Sequence, residues 1–404
     1  MRISYYYLKL KRSFYDRTFW KKLGWFSLTM IRRPFEVFIG YVTISKPDRK
    51  INIKNGFVDH RNKSNHHHSD PNHLNRIIAA YKKSKKAQAK VELPFQIRGL
   101  WSEWLSINYQ KLIEALEDED VSTLSSLFEN FHREQFTKGL GGYDNFLRYH
   151  TLLGKYYLKY VWITYRDKLL SLGYHMREIH FPHIGNPTGV ICNGDVISIE
   201  TLRHVYHAVE MCEILRDIPR ATIAEIGAGY GGQAYQTIKM RGELISKYLV
   251  FDIPEVAAIS SYFLLSAFPD KSICLFGESP VSIASSDKYD IAILPHFAIT
   301  QLSDSSVDLF YNSNSFSEMD SISAKEYLSI INHACRKYFL HVNHDTVLKF
   351  QNPDGSTSVN VIGSDLCPNP VLFKRIFKKP RVHGLPEDRS FQSFEYLYEK
   401  VKKE

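Results

Sequence analysis

Apolar residues recur with two different periods along this chain, and the change of period divides it. Leu74, Ile77, Ile78 and Tyr81 fall at i, i+3, i+4 and i+7, the spacing that lays one apolar stripe along a helix. Helical patterns continue over 107–116, 121–131 and 143–172, the second after the acidic turn 117–120 and the third after Gly141-Gly142. Residues 180–197, with Pro182, Gly185, Pro187 and Gly189, predict a loop or short hairpin. Leu202, Val205, Tyr206 and Val209 then mark a helix running toward Pro219. Beyond it, apolar runs at 222–223, 248–251, 273–276, 291–294, 307–311 and 338–342 alternate with helix-like runs at 233–240, 254–267 and 323–337. That alternation predicts an α/β Rossmann-like unit of parallel strands flanked by helices, preceded by a mainly helical region. The expected boundaries are 1–45 for a basic aromatic segment, 46–73 for a linker, 74–197 for a helical substrate or cap domain, and 198–404 for the Rossmann-like domain.

The first strand of that unit runs into Glu225-Ile226-Gly227-Ala228-Gly229-Tyr230-Gly231-Gly232, and Asp252 closes the second. A strand, a glycine loop, a helix and an acid about twenty residues on form a nucleotide-binding signature. The glycines permit a tight turn and close approach, and the acid takes ribose hydroxyls. Two ligands fit the glycines alone. Gly227-x-Gly229-x-x-Gly232 suits a nicotinamide or flavin dinucleotide, and Gly227-x-Gly229-x-Gly231 suits S-adenosylmethionine. An unoccupied relic of the fold is a third reading. Glu225 separates the first two, because a dinucleotide places an anionic pyrophosphate on the helix N-terminus, where a carboxylate is unfavourable. A methionine moiety carries an ammonium and a sulfonium, which a carboxylate favours.

Charge adds a second feature. The 404 residues carry a formal +9, and residues 1–50 supply all of it, with twelve Lys/Arg against Asp16, Glu36 and Asp48. The rest of the chain is formally neutral, so no nucleic-acid partner is expected. The basic end is also aromatic: Phe19, Trp20, Leu23, Phe26 and Met30 share a helical face, while Arg17, Lys21, Lys22, Arg32 and Arg33 lie largely elsewhere. Its longest uncharged run, 23–31, is far too short to span a bilayer. The pattern predicts either an interfacial helix drawn to anionic lipid or a helix packed on the body. The expected location is cytoplasmic, with peripheral association at the inner membrane face. Five scattered cysteines without a C-x-x-C pair argue for a reducing compartment. His66-His67-His68 and His73 lie in the polar stretch 46–73, with no acid or cysteine at ligand spacing nearby. They read as a solvated loop.

Several segments together resemble a bacterial family of sugar O-methyltransferases found among surface-polysaccharide biosynthesis genes, within the class I S-adenosylmethionine-dependent superfamily. They are Ala79-Ala80-Tyr81, Gly185-Asn186-Pro187, His204-Val205-Tyr206-His207-Ala208, Glu225 through Gly232, Phe251-Asp252-Ile253-Pro254-Glu255 and Asn312-Ser313-Asn314-Ser315-Phe316-Ser317-Glu318-Met319. The resemblance implies an S-adenosylmethionine cofactor and a sugar or glycan acceptor, the alternatives being a methyltransferase with the same cofactor acting on a non-sugar small molecule and a non-catalytic scaffold in a glycan assembly complex. Glu225, Gly227, Gly229 and Gly231 would cradle the methionine end, Asp252 would take the ribose, and Ile253 and His296 would wall the adenine. Asn312, at the C-terminal end of the strand over 307–312, would lie near the transferred methyl group.

A sugar hydroxyl is a poor nucleophile until its proton is drawn away, so methyl transfer needs a base or a metal. The candidate catalytic residues are Glu318, His344 and Asp345, and Asn314, Ser315, His204 and His207 are candidate acceptor contacts. A metal held by Asp345 with Glu318 is an alternative that is not expected. Competing structural readings exist: Asp252 as a helix cap before Pro254, Ser315-x-x-Glu318 as a capping box, and His204 and His207 as ordinary exposed or hydrogen-bonded histidines.

Overall fold

The computed structural model describes residues 34–38, 42, 52–63, 66–175, 178–192, 194–279, 288–351, 355–382 and 392–401. Most of the basic segment, including the amphipathic face at 19–30, therefore lies outside the described residues. Helix α1 spans Pro71–Gln88, with Pro71 at its first position and the Asp70 carboxylate accepting the Asn72 N–H. Its stripe of Leu74, Ile77, Ile78 and Tyr81 is buried as the periodicity predicts.

Three helical runs end differently from the pattern. The run at 107–116 is two helices, α2 (Leu100–Asn108) and α3 (Gln110–Glu117), with Tyr109 buried at the joint. Helix α4 covers Val121–Phe128, capped by Asp120, and gives way to a short 3₁₀ turn at Phe131–Arg133. The run at 143–172 divides into α5 (Tyr143–Tyr149) and α6 (Leu152–Ser171). Thr151 caps α6 by accepting the Gly154 N–H, and a short polar cap of this kind outweighs periodicity when the chain must turn back. Strands β1 (Val190–Cys192) and β2 (Asp195–Ile197) pair antiparallel as the expected hairpin and lead into α7 (Ile199–Ile214).

Beside the separate antiparallel pair β9 (Lys349–Gln351) and β10 (Thr357–Val359), the large sheet holds eight strands in the order β11 (Phe373–Pro380), β12 (Ser393–Lys400), β8 (Cys335–His344), β7 (Val307–Ser313), β3 (Ala221–Ile226), β4 (Ile245–Asp252), β6 (Ile291–Pro295) and β5 (Ile273–Leu275). Strands β3, β4, β6, β7 and β8 run parallel, joined at the edge by the short β5. β12 inserts antiparallel between β8 and β11. The periodic reading missed this last hairpin. Its alternation around Phe394, Tyr396 and Tyr398 is a strand signal, but the lysine-rich partner 374–379 masks it.

The parallel strands carry continuous apolar runs because both faces are covered. Ile223, Val250, Ile293 and Leu309 face one core, which they share with helices α1 and α3 to α6. Ala224, Leu249, Leu294 and Phe310 face the other, against Tyr327, Ile330 and Ile331 of α10 (Ser321–Ala334). Helix α8 (Gly232–Arg241) and helix α9 (Pro254–Ala267) make the crossovers β3 to β4 and β4 to β5. From β3 the chain builds outward through β4 and then crosses back to β7. The C-terminal ends of β3 and β7 therefore flank the switch point, the place in an open α/β sheet where ligands bind.

The reading of the histidine run as a solvated loop does not hold throughout. His60 and His66 are buried, and the His60 N–H donates to Asn186 Oδ1 at 3.0 Å. Asn52 pairs with Ile191 of β1, so part of the 46–73 stretch packs on the body. The Asn186 side chain thus serves a buried backbone N–H, while the His60 and His66 rings are packed without a hydrogen bond among the described residues. No helix among the described residues is long and apolar enough to cross a membrane.

Candidate active site

Register sets the site. Ile226 lies opposite Phe251 on one side and Asn312 on the other, and Asp252 lies opposite Pro295. The chain after β3, β4, β6 and β7 thus emerges at one edge, above a cavity of about 350 Å³. Gly227, Gly229, Glu225, Asp252, Ile253, His296, Asn314, Ser315, Glu318, His344, His204 and His207 all line it. Twelve of the fifteen expected residues are therefore brought together.

The loop after β3 turns on left-handed backbone, with φ of 71° at Gly227 and 58° at Gly229. A Cβ on Gly227 would also lie 2.2 Å from Ser315 Oγ, so only glycine fits there. The Gly229 N–H donates to Asp252 Oδ2 at 2.8 Å, and the Ile253 N–H donates to Asp252 Oδ1 at 2.8 Å. Those bonds lock the acid against the glycine loop. Ile253, not Asp252, occupies the N-cap position of α9 and makes no side-chain cap, so the helix-cap reading of Asp252 fails.

Three expected residues sit off the cavity. Gly231 is the left-handed N-cap of α8, packed on Leu264. Asn312 is fully buried. Its Nδ2 donates to the Ile226 carbonyl at 2.8 Å and its Oδ1 accepts from Asn343 at 2.8 Å. It clamps β3, β7 and β8 beneath the loop, and its amide is used up there. The Asp345 carboxylate accepts the Ser364 N–H at 2.7 Å and lies 3.4 Å from Lys378 Nζ. It holds a loop to the β11 edge and joins no pair with Glu318.

Glu318 behaves differently from a capping residue. Ser315 Oγ turns to the Ile226 carbonyl at 3.2 Å, and Asp320 caps α10 in its place. The Glu318 carboxylate instead accepts the Trp101 indole N–H at 2.9 Å. Burial pushes its pKa up to about 7, with the Trp101 hydrogen bond opposing. Burial likewise pushes Glu225 up to about 8, against the hydrogen bond that Tyr248 Oη donates to it at 2.8 Å, and the nearby Asp252 adds to the rise. Asp252 is raised to about 7 by burial, against its two backbone N–H donors. Glu225, Asp252 and Glu318 are three of the six acidic side chains that line the cavity, the others being Asp144, Glu200 and Asp320. Among the described residues, no basic side chain offsets any of the first three.

The histidines are neutral at physiological pH. Burial holds His296 and His204 down at about 4 and His207 at about 3. His296 Nε2 lies 2.7 Å from the Phe95 carbonyl, which makes that nitrogen the protonated one. His344 Nδ1 accepts the Thr346 N–H at 3.2 Å, so its neutral ring carries the proton on Nε2. A ring in that tautomer donates and is a poor base. Of the three candidate bases, Glu318 alone lines the cavity with an open acceptor.

Sequence reasoning missed one wall of the cavity. Glu200, Arg203, His204 and His207 project from one face of α7 into the cavity. Their i, i+3, i+4, i+7 spacing was a visible polar stripe, of which only the histidines were singled out. Arg203 pairs with Glu200 at 3.0 Å, and Asn145 of α5 donates to Glu200 at 3.3 Å. Asp144, Arg148 and Arg381 complete that wall, Arg381 donating to Asn314 Oδ1 at 2.8 Å. Trp101 offered no local signal, because it reads as one more core aromatic.

No family model and no curated protein matches this sequence. Solved structures resemble it distantly. An S-adenosylmethionine-dependent methyltransferase from Mesorhizobium loti is 11% identical, covering 47% of this chain and 95% of that one with a TM-score of 0.30. A magnesium protoporphyrin IX methyltransferase from Synechocystis, solved with bound S-adenosylmethionine, is 8% identical, covering 50% and 81% with a TM-score of 0.31. The pyocyanin biosynthetic protein PhzM is 12% identical at a TM-score of 0.31, and the match spans only 56% of its length and 50% of this chain.

Proposed function

We propose that this chain is an S-adenosylmethionine-dependent O-methyltransferase whose acceptor is a sugar hydroxyl of a surface polysaccharide, a glycolipid or a nucleotide-sugar precursor. The observation that carries the reading is that Glu225, Asp252 and Glu318 are buried in one cavity with no basic side chain among the causes of their pKa shifts. Buried acids hold their protons until a cation arrives, so the glycine-loop side of this cavity favours a positively charged group, while Arg98, Arg148, Arg203 and Arg381 belong to the rest of its lining. S-adenosylmethionine, when bound, supplies an electrophilic methyl group on a sulfonium.

The chain's own residues divide the remaining work. Glu225 holds the ammonium end, and the turn at Gly227 and Gly229 lets backbone approach the ligand. Asp252, fixed by two backbone N–H groups, accepts hydrogen bonds from ribose hydroxyls with its remaining lone pairs. Glu318 accepts the proton of the attacking hydroxyl, its pKa near 7 suiting a general base at neutral pH. Asn314, Ser315 and the polar stripe of α7 orient an acceptor rich in hydroxyl groups, and orientation for in-line transfer supplies much of the rate.

Residues 1–45 are proposed to hold the chain at an anionic membrane surface. Phe35, Phe38 and Val42 are exposed, in keeping with an apolar face available to lipid. Equal flotation of the full chain and of residues 51–404 on anionic liposomes would remove that proposal.

Titration calorimetry tests the main reading. S-adenosylmethionine and S-adenosylhomocysteine should bind at one per chain and NAD should not, and Asp252→Ala should abolish binding. Tight NAD binding, or unchanged affinity in the variant, would overturn it. Mass spectrometry of surface glycans from a deletion strain then identifies the acceptor by the loss of one methyl increment.

A further inference from the structure

The histidine run at 66–68 lies apart from the cavity, and none of its residues lines it. Folding brings Glu129, just past the end of α4, against it. Glu129 Oε1 accepts the Ser69 N–H at 2.9 Å and the Ser125 hydroxyl at 3.2 Å. Those two bonds aim Oε2 at two imidazoles, 3.8 Å from His66 Nε2 and 3.9 Å from His68 Nδ1. One ligand atom from each residue lies within 4.8 Å of the other two.

His66 is the informative member. Its side chain is 0% exposed, and neither ring nitrogen makes a hydrogen bond among the described residues. Burying a polar ring without partners is unfavourable, and such groups normally find a donor, an acceptor or an ion.

We propose that His66 Nε2, His68 Nδ1 and Glu129 Oε2 form a binding site for a divalent transition metal of the zinc class, with water completing the coordination. Two histidines and one glutamate are a zinc ligand set, and imidazole nitrogens select against magnesium and calcium. Ligands about 2.0–2.1 Å from a tetrahedral ion stand about 3.3 Å apart, so the present spacings need to close by roughly 0.5–1.5 Å. His68 is the side chain that can move, being 76% exposed. The bound ion clamps the segment before α1 to the end of α4, on a different wall from the methyl-transfer cavity.

The test uses the untagged full chain, stripped with a chelator and titrated with cobalt(II) followed by absorption, then with zinc by calorimetry. We expect one equivalent of each ion to bind and zinc to raise Tm. His68→Ala, at an exposed ring, should weaken zinc binding at least about tenfold and abolish the Tm rise, while S-adenosylmethionine binding by calorimetry stays unchanged. Glu129→Gln should do the same to zinc. Absence of a stoichiometric equivalent overturns the proposal, and so does zinc affinity that survives His68→Ala.

Discussion

Replacing Glu225 by glutamine removes a titratable carboxyl from the glycine loop and leaves an amide oxygen to accept from Tyr248. In the ligand-free protein the Glu225 pKa is about 8, so only about one molecule in ten is ionised there at pH 7 and one in a hundred at pH 6. A cationic ligand that requires the carboxylate must first remove that proton, at about 1.4 kcal/mol at pH 7 and 2.7 kcal/mol at pH 6. Once ionised, the carboxylate contributes a charge-assisted hydrogen bond of about 1.5–3 kcal/mol, or ten- to a hundredfold in Kd. The ratio of wild-type to Glu225→Gln affinity for S-adenosylmethionine should therefore rise about tenfold from pH 6 to pH 7 and level off above pH 8. Taking the ratio cancels the titration of the ligand's own amine and, to first order, that of Asp252. Calorimetry at four pH values measures it, and buffers of different ionisation enthalpy should reveal about one more proton released by the wild type than by the variant at pH 6–7. A ratio independent of pH, or a variant that binds as tightly as the wild type, would refute the cationic-ligand reasoning.

Three further outcomes follow from the same structure. Gly227→Ala meets Ser315 Oγ at 2.2 Å on left-handed backbone and should lower cofactor affinity at least about tenfold while costing about 1–3 kcal/mol in stability, both readable by calorimetry and denaturant melts. Trp101→Phe removes the hydrogen bond that holds the Glu318 pKa down, so the acid limb of the kcat profile should move to higher pH; Glu318→Gln should lower kcat by about 10²–10⁴ with little change in cofactor binding. The ligand-free fold should be most stable at about pH 5–6, where the two opposing effects balance. His132, His207 and His341, held at about 3 by burial, stay neutral while the unfolded chain takes up protons below about 6.5, so stability falls on acidification. Glu225, Asp252 and Glu318 keep protons that the unfolded chain has released, so stability also falls as pH rises toward 7–8. Saturating S-adenosylmethionine should remove the alkaline loss, which thermal melts at graded pH will show.

Local pattern determined the Rossmann-like half of this protein. Continuous apolar strands, the glycines from 227 to 232 and an acid at 252 are short-range features, and each constrains its own backbone whatever surrounds it. Tertiary structure decided what those residues touch. Asn312 and Asp345 have the same chemical credentials as Asn314 and Glu318, yet β8 and the 364 loop engage the first pair while the second faces the cavity. The Trp101–Glu318 hydrogen bond spans 217 residues and that between Asn145 and Glu200 spans 55, separations over which one-dimensional spacing carries no information. The same holds for Glu129, whose approach to His66 and His68 depends on where α4 ends, and so a stretch that reads as a polar loop becomes a cluster of ligands. Even the perturbed acidity of Glu225, Asp252 and Glu318 belongs to the fold. A carboxyl's pKa is set by the water it loses and the charges it meets, and neither is written in the order of residues.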